Sequence, residues 1–381
     1  MLLRIIIWVL LAWLAIPVLY FLTFALAARF RRKQIAPVGT RRRRFTILIP
    51  AYHSDSCIID TTRAALDQDY PKELFSVVVI SDGMRPETVA ALRESGAEVL
   101  EVVFEQSSKA KALAAAVDSL GPDAADAVAI LDADNLASPS FLSSIDDAMC
   151  AGARAIQAHR TAKNEDTPVA VIDAVSEEIN NSIFRSGHCA LGISSALIGS
   201  GMAFEYVWFA DNVKKFTTSG EDKEMELQLL RDGIFVEYLE DEKVLDEKTR
   251  TRQNYAKQRR RWIASQYNLM SDAIRNFKDV KDKTGYADKL FQWCFPPRMI
   301  LIGAIPFLAL LLTVFGSPLA LWWWILTALL VIALLMAMPR GSINGNFFKA
   351  LLRVPALAFT AVANVFRIKG TKDTFIHTDH K

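Results

Sequence analysis

Hydrophobic and polar positions along the chain divide it into apolar ends and a mixed middle. From Ile5 to Ala28 no residue carries a charge. At a helical rise of about 1.5 Å per residue, such a run is long enough to cross a hydrocarbon core of about 30 Å. The first 30 residues therefore read as a transmembrane helix. Ala25-Leu26-Ala27 has the small-x-small form of a signal-peptide cleavage site. The run is too long for one, however, and Arg29, Arg31, Arg32 and Lys33 follow at once. These cations continue to Arg44 as a basic juxtamembrane linker, 31–44, which marks the cytoplasmic side and can rest on anionic lipid headgroups.

At the other end, Met299 to Phe315 and Pro318 to Met338 are apolar runs separated by Gly316-Ser317, a transmembrane hairpin over 299–338. Helices connecting it to the middle domain along the interface are expected over 266–298. Phe347 to Phe366 carries Lys349 and Arg353 at i,i+4 spacing, with Pro355 interrupting it, and reads as an interfacial helix within a 339–381 tail. A fourth crossing is the alternative. The chain is thus expected in the cytoplasmic (inner) membrane as a multi-pass protein with its middle domain in the cytosol.

Between residues 45 and 160, short β-rich runs alternate with helical stretches, the pattern of a parallel sheet covered by helices. Strands are predicted at Phe45–Ile49, Phe75–Ser81, Glu98–Phe104 and Ala127–Leu131, and helices at about 56–67, 86–95, 108–119 and 139–150. Ligands bind such sheets off the carboxyl ends of the strands, and Asp82, Asp132 and Asp134 lie immediately past such ends. Two carboxylates at i and i+2 suit Mg²⁺ or Mn²⁺ holding a diphosphate, although Asp-x-Asp alone is weak and loop aspartates often only cap helices or, like Asp82 before Gly83, make turns. Lys109 and Lys111 open a helix whose N-terminus can help bind phosphate, with a solvated face the fate of at least one of them. Asp222, after Gly220-Glu221, reads on its own as an N-cap for a helix over Lys223 to Arg231 closed by Gly233. Gln258-Arg259-Arg260-Arg261-Trp262 sets cations beside an aromatic, which a polar helix face on the membrane surface would also do.

Composition narrows the class. The chain has 381 residues with 44 Lys+Arg against 42 Asp+Glu, and this near-neutral balance argues against a nucleic-acid partner; the one basic run has a membrane neighbour. Cys57, Cys150, Cys189 and Cys294 have neither metal nor disulfide spacing and read as reduced, buried thiols.

Taken in order, Ile49-Pro50-Ala51-Tyr52, Asp82-Gly83, Lys109-Ala-Lys-Ala-Leu113, Asp132-Ala-Asp134-Asn135, Gly199-Ser-Gly-Met-Ala-Phe204, Glu221-Asp222 and Gln258-Arg-Arg-Arg-Trp262 resemble the motifs of family 2 glycosyltransferases. These are inverting membrane enzymes that include cellulose, chitin and hyaluronan synthases. The resemblance covers about residues 45–265. It implies an α/β GT-A fold, a nucleotide-sugar donor with UDP as the expected nucleotide, and Mg²⁺ or Mn²⁺. Ala51, Tyr52 and Asp82 would line the uracil and ribose pocket with Asp132 beside it, Asp134 would hold the metal, and Lys109 would approach the diphosphate. Asp222 would be the general base, while Gln258, Arg261 and Trp262 would close over the diphosphate and the acceptor. His53-Ser54 and Ala114 depart from the family pattern, which commonly has Asn-Glu and Asn there. The implied acceptor is a growing polysaccharide, with a lipid-linked oligosaccharide extended by one sugar as the alternative, and a homo-oligomer or an export partner is the further partner that the resemblance suggests. A catalytically silent scaffold is the reading from another class, against which the retained Asp132, Asp134, Asp222 and Arg261 speak.

Overall fold

A computed structural model describes residues 1–31, 42–218 and 220–366. After α1 (Leu2–Arg29), the chain lays down β1 (Phe45–Tyr52), α2 (Ile58–Leu66), β2 (Phe75–Asp82), α3 (Pro86–Glu94), β3 (Glu98–Val102), α4 (Lys109–Leu120), β4 (Ala127–Ile130), β5 (Leu136–Ala137), α5 (Phe141–Cys150) and β6 (Ala155–Ala162). Next come α6 (Pro168–Asn180), a π-helical turn (Asn181–Gly187), α7 (His188–Ala190), β7 (Met202–Glu205), α8 (Tyr206–Val213), α9 (Glu221–Asp232) and β8 (Val236–Asp246). The remainder is helical: α10 (Arg252–Arg275), α11 (Lys283–Trp293), α12 (Arg298–Val314), α13 (Ala320–Ala337), α14 (Gly345–Leu351) and α15 (Val354–Phe366).

The strands form one sheet in the order β3-β2-β1-β4-β7-β6-β8-β5. Strands β1 to β4 are parallel as expected, but β7 runs antiparallel to β4 and the sheet is mixed. Strands β1 and β4 are apolar along nearly their whole length because both of their faces are covered. One apolar core, with Ile47, Ile49, Ala129 and Ile145, lies under α2 and α5. The other, with Leu48, Ile130, Leu113 and Phe209, lies under α4 and α8. Pro50 is tolerated inside β1 because Leu48 faces β4, accepting from Leu131 N; the missing N–H two residues on points the same way, where β4 has ended. The switch in the sheet therefore opens a crevice at the carboxyl ends of β1, β2 and β4.

Apolar side chains of α1, α12 and α13, among them Val18, Ile305, Trp323 and Leu330, pack into a cluster of their own. Helices α1 and α13 are each long and apolar enough to cross a membrane; α12 passes only together with α11, across a bend of 56°. The apolar stretch read as one interfacial helix is two, α14 and α15, bent by 48°. Arg353 falls at the break just before Val354-Pro355, so it does not share a helix face with Lys349.

Most of the basic linker lies outside the described residues. Its described arginines are taken by protein partners: Arg31 donates to Tyr238 O, Arg43 to Asp146 Oδ1 and Arg44 NH1 to Asp123 O. The four cysteines are free thiols, but they are less buried than expected: three are partly exposed, and Cys294, where the chain turns from α11 towards α12, is exposed.

Candidate active site

A cavity of about 480 Å³ occupies the crevice. Ala51, Tyr52, Asp82, Lys109, Asp132, Asp134, Asp222, Gln258, Arg261 and Trp262 all line it. Tyr52 and Asp82 are opposite one another in the β1–β2 register. His53, which follows, has a left-handed backbone (φ 47°), a conformation that suits Asn or Gly better than His, and its ring meets the Tyr52 ring edge-on at 4.4 Å.

Beyond β4, the loop holding both aspartates is organised by Asn135, which is fully buried. Its Oδ1 accepts from Asp132 N and from the Ser200 hydroxyl, while its Nδ2 donates to Asp134 Oδ1 at 3.1 Å and Asp246 Oδ1 at 3.2 Å. One amide thus fixes three acidic residues. Asp132 is matched by Lys109, whose ammonium bonds Asp132 Oδ1 and, at 2.6 Å, the Gly199 carbonyl. Lys111 instead reaches the Gln106 carbonyl at an exposed position, so it is the lysine of the pair that stays outside.

Asp246, at the end of β8, sits 3.7 Å from Arg160 and 2.8 Å from Lys248. Burial alone would raise its carboxyl, but these two cations overcome it and hold it down at about 2. Arg160, itself buried, also lies 3.4 Å from Glu177 and 4.0 Å from Asp132.

Gly220, not Asp222, occupies the N-cap of α9, so Asp222 sits in the first turn with its carboxylate in the cavity wall. Its Oδ1 accepts from Lys223 N at 2.9 Å. Glu221 lies 3.9 Å from Lys109; burial pushes its carboxyl up, to about 7, against the pull of that lysine and with the Asp222 charge adding to the rise. Gly199 (φ 85°) threads between them: a Cβ there would be 3.8 Å from Lys109 Nζ and 3.9 Å from Asp222 Cβ. On α10, Asn254, Gln258, Arg261, Trp262 and Ser265 line the cavity together because spacings of three and four return to one helix face.

Residues 42–265 match the family described as Glycosyltransferase like family 2. The chain belongs to this family. It is a glycosyltransferase, and its α/β domain with a mixed sheet is a GT-A fold. Among solved structures, the mannosyltransferase PcManGT of Pyrobaculum calidifontis, in complex with GDP-Man and Mn²⁺, aligns over 95% of this chain and 100% of its own, with a TM-score of 0.57 at 16% identity, a likeness of fold. TarS of S. aureus in complex with UDP-GlcNAc covers 85% of this chain and 89% of its own at 12% identity and a TM-score of 0.47. Glucosyl-3-phosphoglycerate synthase of Mycobacterium tuberculosis, with Mn²⁺, UDP and phosphoglyceric acid, covers 58% and 76% at 16% identity and a TM-score of 0.40. No curated protein matches the chain.

The donor set of this glycosyltransferase fits a hard cation shared with a ligand. Among the described residues, no three His, Cys, Asp or Glu side chains converge as a metal cage. Mg²⁺ and Mn²⁺ at diphosphate sites take one or two carboxylates from the protein and the remaining oxygens from phosphate and water, which Asp134 beside Asp132 can supply. Sequence reasoning missed Arg160, Glu221, Asp246 and Lys248 as site residues. Glu221 stood beside Asp222 in the quoted motif, whereas the other three carry no local pattern and are brought in by β6 and β8.

Proposed function

We propose that this glycosyltransferase catalyses metal-assisted, inverting transfer of a sugar from a nucleoside-diphosphate sugar to a hydroxyl of a membrane-associated glycan. The observation that carries this reading is the position of Asp222, lining the same cavity as the Asp132–Asp134 loop and in the wall shared with a second cavity that reaches the apolar helices. In a single displacement the acceptor oxygen bonds the anomeric carbon as the bond from that carbon to the phosphate oxygen breaks. Asp222 accepts the hydroxyl proton, and the nucleoside diphosphate leaves with the bonding electrons. Asp134 would hold the cation, which would supply positive charge to the departing diphosphate. Arg261 adds positive charge on the leaving-group side, and Lys109 keeps Asp132 and the Gly199 carbonyl in place beneath the nucleotide. Tyr52 and Asp82 frame the base and ribose, and Trp262 covers a sugar ring with its apolar face.

Uridine is the nucleotide expected from the family resemblance. Because the similar mannosyltransferase was solved with GDP-Man, GDP-sugars belong in the same donor screen. The cytosolic side of the inner membrane remains the proposed setting, with α1 and α13 as its spans. A growing polysaccharide is the second acceptor reading, favoured by Gln258, Arg261 and Trp262 lining the same cavity as Asp222.

The test is Asp222→Asn, assayed for sugar transfer and separately for nucleotide binding in the presence of Mn²⁺. Transfer should fall by about 10²–10⁴, the usual contribution of a positioned base, with nucleotide affinity unchanged. Full transfer activity in the variant would overturn the assignment.

A further inference from the structure

A second cavity, of about 390 Å³, shares Ile198, Asp222, Lys223 and Trp262 with the first and runs from them to the apolar helices. Its far wall is Phe21 of α1 with Phe295, Pro296, Pro297 and Met299, an apolar surface beside a helix apolar enough to lie in a membrane. Its floor is cationic. Arg298 donates to Asn180 Oδ1 at 3.1 Å and to Ser176 O at 3.0 Å, and both Arg298 and Arg259 donate to the same Ser176 hydroxyl, at 2.5 and 3.3 Å.

Two guanidinium groups meeting on one neutral atom repel each other unless anions lie nearby. Asp173 serves Arg259, at 2.8 Å, while no carboxylate of the described residues lies within 4.0 Å of Arg298. The other cations of the wall are already matched, Lys223 by Asp222 at 3.6 Å, Lys289 by Glu226 at 2.5 Å and Arg185 by Glu177 at 3.4 Å. Arg259 Nε is buried without a hydrogen-bond partner among the described residues. At its polar end the cavity therefore has one guanidinium, that of Arg298, with no carboxylate in ion-pair reach and, in Arg259, a donor without a bond; at its other end it has an apolar slot.

We propose that this cavity is the acceptor site and that it takes a glycan carried on a lipid phosphate: the phosphate lies against Arg259 and Arg298, the hydrocarbon chain along Phe21 and Phe295, and the reacting glycan hydroxyl at Asp222. The assignment of that hydroxyl rests on Asp222 being the base. The anion site itself stands on the arginines alone. Trp262, stacked on Arg259 at 4.5 Å, forms the partition between donor and acceptor cavities.

The full chain in detergent is titrated with dodecyl phosphate, dodecanol and inorganic phosphate, and bound molecules are counted by native mass spectrometry. A single dodecyl phosphate should be retained at least about tenfold more tightly than dodecanol, the worth of one or two charge-assisted hydrogen bonds. Arg298→Met should remove about that factor, and Arg298→Lys most of its charge-dependent part should spare. Inorganic phosphate binding as tightly as dodecyl phosphate would make this a free-phosphate site and overturn the lipid assignment. Equal retention of dodecanol would overturn the anion site. Should Arg298→Met fail to fold, dodecyltrimethylammonium offered to the wild-type chain decides the matter, since retention equal to that of dodecyl phosphate sinks the proposal. Transfer activity and nucleotide binding are measured on the same preparation. A chain that binds dodecyl phosphate but transfers no sugar refutes the function reading, and one that transfers sugar without binding dodecyl phosphate refutes only this site.

Discussion

Glu221 makes the charge of the site depend on pH. Its carboxyl is raised by burial to about 7, so the proton is held more tightly in the folded chain than in the unfolded one. The associated stability is present below the ordinary carboxylate value of 4.5 and is lost as pH climbs through about 7. Above that point Glu221 is a second anion beside Asp222, and it competes with Asp132 for Lys109. Glu221→Gln fixes the neutral state. The pH profile of transfer by the wild-type chain should show a limb near 7 that the variant lacks; an identical limb in both would assign it to another group. Arg160 has the opposite character, a permanent charge compensated by Asp132, Glu177 and Asp246. Arg160→Met leaves those carboxylates facing one another and should cost about 3–5 kcal/mol in chemical denaturation, as removal of one partner from a buried ionic cluster does. A loss below about 1 kcal/mol would mean that the carboxylates simply take up protons. Neither residue announced its role in the sequence. Asp132 and Asp134 were legible because an apolar strand precedes them, whereas Arg160 owes its function to a strand pairing that no local pattern encodes.

At the level of elements, legibility followed periodicity. Gln258, Arg261 and Trp262 share a helix face by spacing alone, and the parallel strands β2 and β4 announced themselves as apolar runs ended by aspartates. The antiparallel β7 was not legible, since Met202–Glu205 is only four residues long and its direction is set by pairing with β4 and β6. Nor was the contact between α1 and the π-helical turn. Gly187 there stands against the α1 backbone, where a Cβ would come within 2.9 Å of Phe24 C and collide with its carbonyl oxygen. Neither backbone can give way as a flexible side chain would. Gly187→Ala should therefore loosen the seat of α1 on the catalytic domain and lower stability by about 1–3 kcal/mol, the usual cost of overpacking, read as a fall in thermal midpoint in detergent. Gly341→Ala is the control, because nothing lies within 4 Å of a Cβ at that position. Equal midpoints for the two variants would show that α1 docks without this contact.

The whole molecule joins a sugar-transfer crevice to a cluster of apolar helices, and how those helices pack bears on what is made. Leu14, Val18 and Phe21 of α1, Leu301 and Ile305 of α12 and Trp323, Leu326 and Leu330 of α13 are buried against one another. Ala25, Ala309 and Ala333 are buried in the same cluster, where small side chains let helices approach closely. A polymer passing through a single subunit needs a wide path lined by groups that bond its hydroxyls, and this seam is filled with hydrocarbon. The second cavity, by contrast, is lined by Phe21 of α1 and Met299 of α12, so an acceptor bound there lies beside the helices and does not have to thread the seam. Such an arrangement favours one addition per encounter. With labelled donor and a large excess of acceptor, the products should therefore be acceptors extended by one sugar, at every time point and enzyme concentration. Long products appearing while most acceptor is still unextended would mean that the chain holds on between additions, and since the seam among the described helices is packed with hydrocarbon, the polymer would have to leave by another path.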